Sequence, residues 1–154
     1  MEQLIFKSWS ILKSTKLGRW LFSFLIGFFV PYSGSISPQV IEIEKGKSTV
    51  LLKEKWFVRN HLKSVHAIAL ANLGELASGL AMLSALPPNS RGIVRSINIE
   101  YLKKARGVLT SKGSANPPQV LTENIEQIAH ADIFDSKNEL VAVLKVNWQV
   151  GPRE

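Results

Sequence analysis

The stretch NHLKSVHAIALANLGELASGLAM, Asn60 to Met82, decides how the rest of the chain is read. From Val65 to Leu86 it holds no lysine or arginine and a single carboxylate, Glu75. Small and apolar residues at helical spacing predict a long helix over roughly Leu62 to Leu86. It is ended by PPNSRG, whose two prolines and glycine forbid continuation. With Glu75 at zero on a wheel of 100° per residue, Ile68, Asn72, Ser78, Gly79 and Met82 fall within about 60° of it. Leu70, Leu73, Ala77, Leu80 and Ser84 fall on the far side. The helix therefore has an apolar back for a sheet and a lightly polar front without the lysines and glutamates of a solvated face. That front is expected to be buried against a second subunit. A lone carboxylate in such a seam is neutralised, hydrogen-bonded or used, because an unpaired buried charge costs several kcal/mol.

On either side of this helix the apolar period becomes two. Before it, QVIEIE and STVLLKEKWFV around the turn KGK read as a hairpin; after it, GIVRSINIEYLKKA, GVLTSKGS, VLTENIEQIAHADIFDSK and ELVAVLKVNWQV read as four strands, with DSKN as a hairpin turn. This order predicts an α+β domain, residues 34–154, in which an antiparallel sheet wraps one central helix. Residues 1–33 read as an N-terminal helical segment, a lid or an interface. Glu2 to Thr15 has an amphipathic pattern, and Trp20 to Val30 is an uncharged run of eleven residues stopped by Pro31. That is half of what a membrane span needs. A retained helix is expected here, packed on the domain or touching membrane or acyl chains with help from Lys13, Lys16 and Arg19.

The 154 residues suit one domain with its own core. Without cysteine, disulfides and thiolate chemistry are excluded, and His61, His66 and His130 are too scattered to suggest a metal site. A net charge of +7 favours an anionic partner. Nucleic acid is not expected, because the cations are dispersed and no recognition signature accompanies them.

The pattern Asn60-x5-His66-x8-Glu75-x3-Gly79 resembles the hotdog-fold thioesterases, in particular the phenylacetyl-CoA and related acyl-CoA thioesterase branch. That branch carries an asparagine, a His-Gly-Gly at the start of the central helix, an acidic residue nine positions after the histidine, and a small residue four further on. INIEYLKKARG, Ile97 to Gly107, is similar to the strand and basic turn of the uncharacterised, domain-of-unknown-function branch of that superfamily. The likeness spans about Pro38 to Val150. Where the family has glycines after the histidine, this chain has Ala67 and Ile68.

The resemblance implies hydrolysis of an acyl-CoA or related thioester between subunits of a homodimer or tetramer. No metal or organic cofactor is implied, coenzyme A being part of the substrate. Glu75 is implied as general base or nucleophile, with Asn60 orienting water or the carboxylate and His66 at the helix start. Nine residues separate His66 from Glu75 by about 13 Å along a helix and half a rotation, so they cannot form one site within one chain. A two-fold dimer with its central helices side by side could bring Glu75 of one copy to the helix start of the other. Backbone N–H groups there, around Ala67 and Ile68, would hold the carbonyl oxygen. Arg59, Lys63, Lys103, Lys104 and Arg106 are expected to meet coenzyme A phosphates. Trp56, Phe57, Ile68, Gly79 and Met82 are expected beside the acyl group, under the apolar segment 20–30. The alternatives are a non-catalytic hotdog domain that binds acyl groups, or a protein held peripherally on a membrane through residues 16–30. The expected location is cytoplasmic or membrane-peripheral.

Overall fold

The computed structural model describes residues 2–153, with side chains from Ile5 onward. Three helices come first: α1 (Glu2–Leu12), α2 (Lys16–Phe29) and the single turn α3 (Pro31–Gly34). Strands β1 (Gln39–Glu44) and β2 (Lys47–Lys53) follow, then the long helix α4 (Ala67–Ala85). Strands β3 (Ser90–Tyr101), β4 (Val108–Ala115), β5 (Ile125–Phe134) and β6 (Leu140–Pro152) complete the chain. All six strands form one antiparallel sheet in the order β1-β2-β4-β5-β6-β3, wrapped on α4. The expected α+β architecture of sheet, central helix and extra N-terminal helices is the one observed.

Helix and sheet approach closely because the residues between them are small. Gly113 of β4 lies under Ala77, where a Cβ would stand 2.2 Å from the Ala77 carbonyl oxygen. The same oxygen accepts a hydrogen bond from Ser48 Oγ of β2 at 2.6 Å. Leu70, Leu73, Ala77 and Leu80 are buried as the wheel requires. A fully buried leucine such as Leu73 contributes about 1.5–3 kcal/mol.

Several boundaries differ from the expected ones. The central helix begins at Ala67, not Leu62, because Asn60 Oδ1 accepts from the N–H groups of Leu62 (2.9 Å) and Ser64 (3.2 Å) and holds 59–65 as a tight loop. The strand containing STVLLK stops at Lys53, and Trp56–Val58 form a 3-10 turn. The strand after α4 stops at Tyr101 rather than continuing through Lys103 and Lys104. Ser78, Gly79 and Met82 on the front of α4 are buried by this chain alone, not by a second subunit.

The N-terminal helices belong to this packing. Thr15 caps α2, its Oγ1 accepting from Gly18 N–H at 2.9 Å. Trp9 and Phe22 meet edge to face at 4.9 Å, and the Trp9 indole donates to the Ile43 carbonyl at 3.1 Å. Ser23 Oγ of α2 accepts from the Val40 N–H of β1 at 2.9 Å. Among the described residues only α4 is long and apolar enough to cross a membrane, and the sheet encloses it.

Gly113→Ala forces β4 away from α4. It is expected to destabilise the chain by about 2 kcal/mol or more, measured by chemical denaturation; an unchanged midpoint would show that the two backbones are free to separate.

Candidate active site

Glu75 is half-buried on the front of α4, with Ile68, Asn72 and Gly79 on the same face. Among the described residues no hydrogen bond or ion pair reaches its carboxylate, and burial raises its pKa above the ordinary 4.5. Gly79, one turn further on, leaves space there: a Cβ would stand 3.9 Å from Glu75 Oε1. Asn72 Nδ2 donates to the Tyr32 carbonyl at 2.9 Å, which ties α3 to this side of α4. Trp148 of β6, only 5% exposed, is fitted between Gly79 and Gly92. Its Cζ2–Cη2 edge faces Gly79 at 3.5–3.6 Å from where a Cβ would be. The indole N–H, bonded to the carbon next to Cζ2, is buried without an acceptor among the described residues. An unanswered carboxylate and an unanswered donor thus flank Gly79.

The helix start is a second cluster. His66 is the N-cap of α4, its Nδ1 accepting from Ile68 N–H at 3.1 Å. Helix geometry leaves the N–H groups of Ala67 and Ala69 without an intrahelical acceptor. Tyr101, at the end of β3, donates its hydroxyl to the Ala67 carbonyl at 3.0 Å, and burial raises its pKa. The loop 59–65 and the turn 102–107 join here, Val65 N–H donating to the Ala105 carbonyl at 2.9 Å and Arg106 Nε to the Lys63 carbonyl at 3.2 Å. Glu54 pins the junction: Gly107 N–H donates to Oε2, and Arg59 Nε lies 2.7 Å from Oε1. The Gly107 bond first, then Arg59 with Arg106, hold the Glu54 pKa below its ordinary value against the opposing effect of burial.

The chain therefore brings Arg59, Lys63 and Arg106 together at the helix start but keeps them apart from Glu75. Lys103 pairs with Glu139 at 3.3 Å, whereas exposed Lys104 has no partner among the described residues. Two of the expected residues have contacts within the chain. Asn60 Oδ1 accepts from the N–H groups of Leu62 and Ser64 and from Ser64 Oγ, so this oxygen clasps its own loop. Met82 lies wholly in the core and does not line an open pocket within the chain. Ile68 is exposed on the Glu75 face, and Trp56 and Phe57 are exposed before the loop. Trp148, Tyr101 and Asn72 were not expected. Trp148 and Tyr101 lie in plain strand patterns, and Asn72 could be placed on the front of the helix without its partner being readable.

Two large grooves lie elsewhere. One of about 620 Å³ runs between α2 and β1–β2, and one of about 470 Å³ lies between α1 and the end of α4. Neither includes Glu75.

A family model, Domain of unknown function (DUF4442), matches residues 18–150. The chain belongs to this family. No curated protein matches it. Among solved structures, the structural-genomics target APC5556 is 28% identical, with a TM-score of 0.82 over 98% of this chain and 97% of that one. A Pseudomonas aeruginosa protein of unknown function, PA5026, described as a probable thioesterase, is 21% identical with a TM-score of 0.70, over 82% of this chain and 88% of that one. A hypothetical thioesterase from Streptococcus pneumoniae TIGR4, solved with coenzyme A, is 21% identical with a TM-score of 0.68, over 83% of this chain and 99% of that one. The fold of this DUF4442 member is the hotdog fold, and its structural neighbours include hotdog-fold proteins described as thioesterases.

A carboxyl whose pKa rises on folding holds its proton more tightly in the folded state. Stability is therefore greatest below the unfolded value and falls as pH rises through the folded one. Glu75→Gln is expected to melt above the wild type at neutral pH, with the difference closing below about pH 4.5. A wild type that melts higher at neutral pH would show that the carboxylate has a stabilising partner.

Proposed function

We propose that this protein hydrolyses acyl-CoA or related acyl thioesters at sites shared between two copies of the chain. The observation that carries the reading is Glu75, a half-buried carboxylate with raised pKa and no partner among the described residues, on a helix otherwise without charge. A carboxylate whose pKa is raised by burial is a stronger base than an ordinary one. Glu75 removes a proton from a water, the hydroxide attacks the thioester carbonyl carbon, and the carbon–sulfur bond breaks, with the proton delivered to the departing thiolate. The oxyanion is held by the N–H groups of Ala67 and Ala69 at the start of α4 in the second copy. Lys63, Lys104 and Arg106 receive the phosphates of coenzyme A, and no metal or organic cofactor is called upon.

The two edges of the sheet support pairing. The β1 edge is covered by α2, down to the bond from Val40 N–H to Ser23. The β3 edge is twelve residues long, uncovered, and carries exposed Ile93, Ile97 and Tyr101. An open edge of that length is a template for another strand. Pairing β3 with β3 of a second copy sets the two α4 helices side by side. A coenzyme A-bearing neighbour and neighbours described as thioesterases favour the same chemistry.

One observation favours a second reading, an acyl-binding domain without catalysis: His66 occupies the Ile68 N–H, and side chains stand where the related enzymes carry glycines. Thiol release from acyl-CoAs of graded chain length and an aromatic member distinguishes the two. The expected result is turnover in the wild type that falls about a hundredfold or more in Glu75→Gln. Saturable binding with no turnover on any member would favour the binding domain.

A further inference from the structure

Helix α2 has two apolar faces, and among the described residues one is buried and the other exposed. Gly18, Phe22, Ser23 and Ile26 face inward. Outward, Leu17 is 73% exposed, Trp20 56%, Phe24 59% and Phe28 70%, with Leu21 between them. These five fall within about 60° of Phe24 on the wheel, one continuous stripe along the helix. Trp20 and Phe24 stack at 5.9 Å, and Phe28 meets Phe29 edge to face at 5.5 Å. At about 150–250 Å² per aromatic side chain, the exposed parts come to several hundred Å², the size at which an apolar patch marks an interaction site.

Charge identifies the occupant. Between Glu2 and Glu42 the chain carries Lys7, Lys13, Lys16 and Arg19 and no acidic residue. Lys53 and Lys55 line the opposite wall of the groove that Trp20, Phe24 and Phe28 open into. A second copy laid on this face by two-fold symmetry would set Lys53 and Lys55 of the groove wall, and Lys16 about 80° round the helix from Phe24, against their own counterparts. An anionic lipid surface meets both features at once, aromatic and leucine side chains entering the acyl boundary and lysines meeting phosphates.

We infer that α2 is a membrane-docking helix that seats the protein on an anionic bilayer through Leu17, Trp20, Phe24 and Phe28. The groove of about 620 Å³ behind it opens toward the lipid and has room for an acyl chain. The inference is independent of whether Glu75 is catalytic, since docking is read without substrate.

The test is cosedimentation of the full chain with vesicles of phosphatidylcholine alone, or mixed with phosphatidylglycerol. The wild type is compared with Phe24→Ser/Phe28→Ser and with Lys13→Gln/Lys16→Gln, whose circular dichroism and melting confirm folding. The wild type is expected to bind the mixed vesicles, with added salt weakening the interaction. Binding is expected to drop about tenfold or more on neutral vesicles and in each variant. No binding to mixed vesicles, or equal binding by the wild type and the phenylalanine variant, would overturn the inference. So would a halving of molecular mass in the phenylalanine variant without vesicle binding by the wild type, which would assign the face to a second copy.

Discussion

The close approach of α4 to the sheet at Gly113 and Ala77 is the constraint on which the rest of the fold depends. Bare backbone on β4 lets the helix settle within reach of Ser48, and glycine at Gly74 leaves room for Leu144 on β6. The sheet can then curl round the helix far enough to bury its back and much of its front. A helix held this way has little freedom to rotate. Glu75 is consequently fixed on the one part of the circumference that neither strand nor N-terminal helix covers fully. Its raised pKa follows from burial without compensation, the opposite of Glu54, whose burial is answered by Gly107 and two arginines.

The same constraint separates the two halves of the proposed site. A rigid helix keeps the N–H groups of Ala67 and Ala69 at its start about 9–12 Å from Glu75 along the axis. Only a second molecule can bring a helix start to this carboxylate. The sheet is asymmetric in a way that suits this: α2 shields one edge, and the other is long and open. The outward face of α2 is left over from both arrangements, which is why a different kind of partner is assigned to it.

Much of the architecture was legible because it rests on period. The switch from alternation to helical spacing and back located the strands and the central helix, and the far side of the wheel gave the buried leucines. The lone carboxylate was legible for the same reason, as a break in an otherwise uncharged pattern. What was hidden depended on local side-chain hydrogen bonds and on chain segments distant in sequence. The true start of α4 is set by an asparagine turning its own loop, which competes with helix where periodicity sees only continuation. Met82 was placed correctly on the wheel, but curvature of the sheet closes over it. Trp148 reads as one more inward strand residue until Gly79 and Gly92 are seen to make its slot.

If catalysis takes place at sites shared between copies, two differently damaged chains complement each other when mixed. Glu75→Gln removes the carboxylate. Ala67→Pro removes one N–H at the helix start while remaining compatible with the first helical position and with the extended backbone of His66 (φ −64, ψ 141). Each homodimer should be nearly inactive in thiol release. If sites are shared, a hybrid dimer has one doubly damaged site and one intact site, and an equimolar reassorted mixture recovers roughly a quarter of wild-type activity. A mixture confirmed to contain hybrids yet no more active than its parents would rule out shared sites, because it would place both groups in a site within one chain.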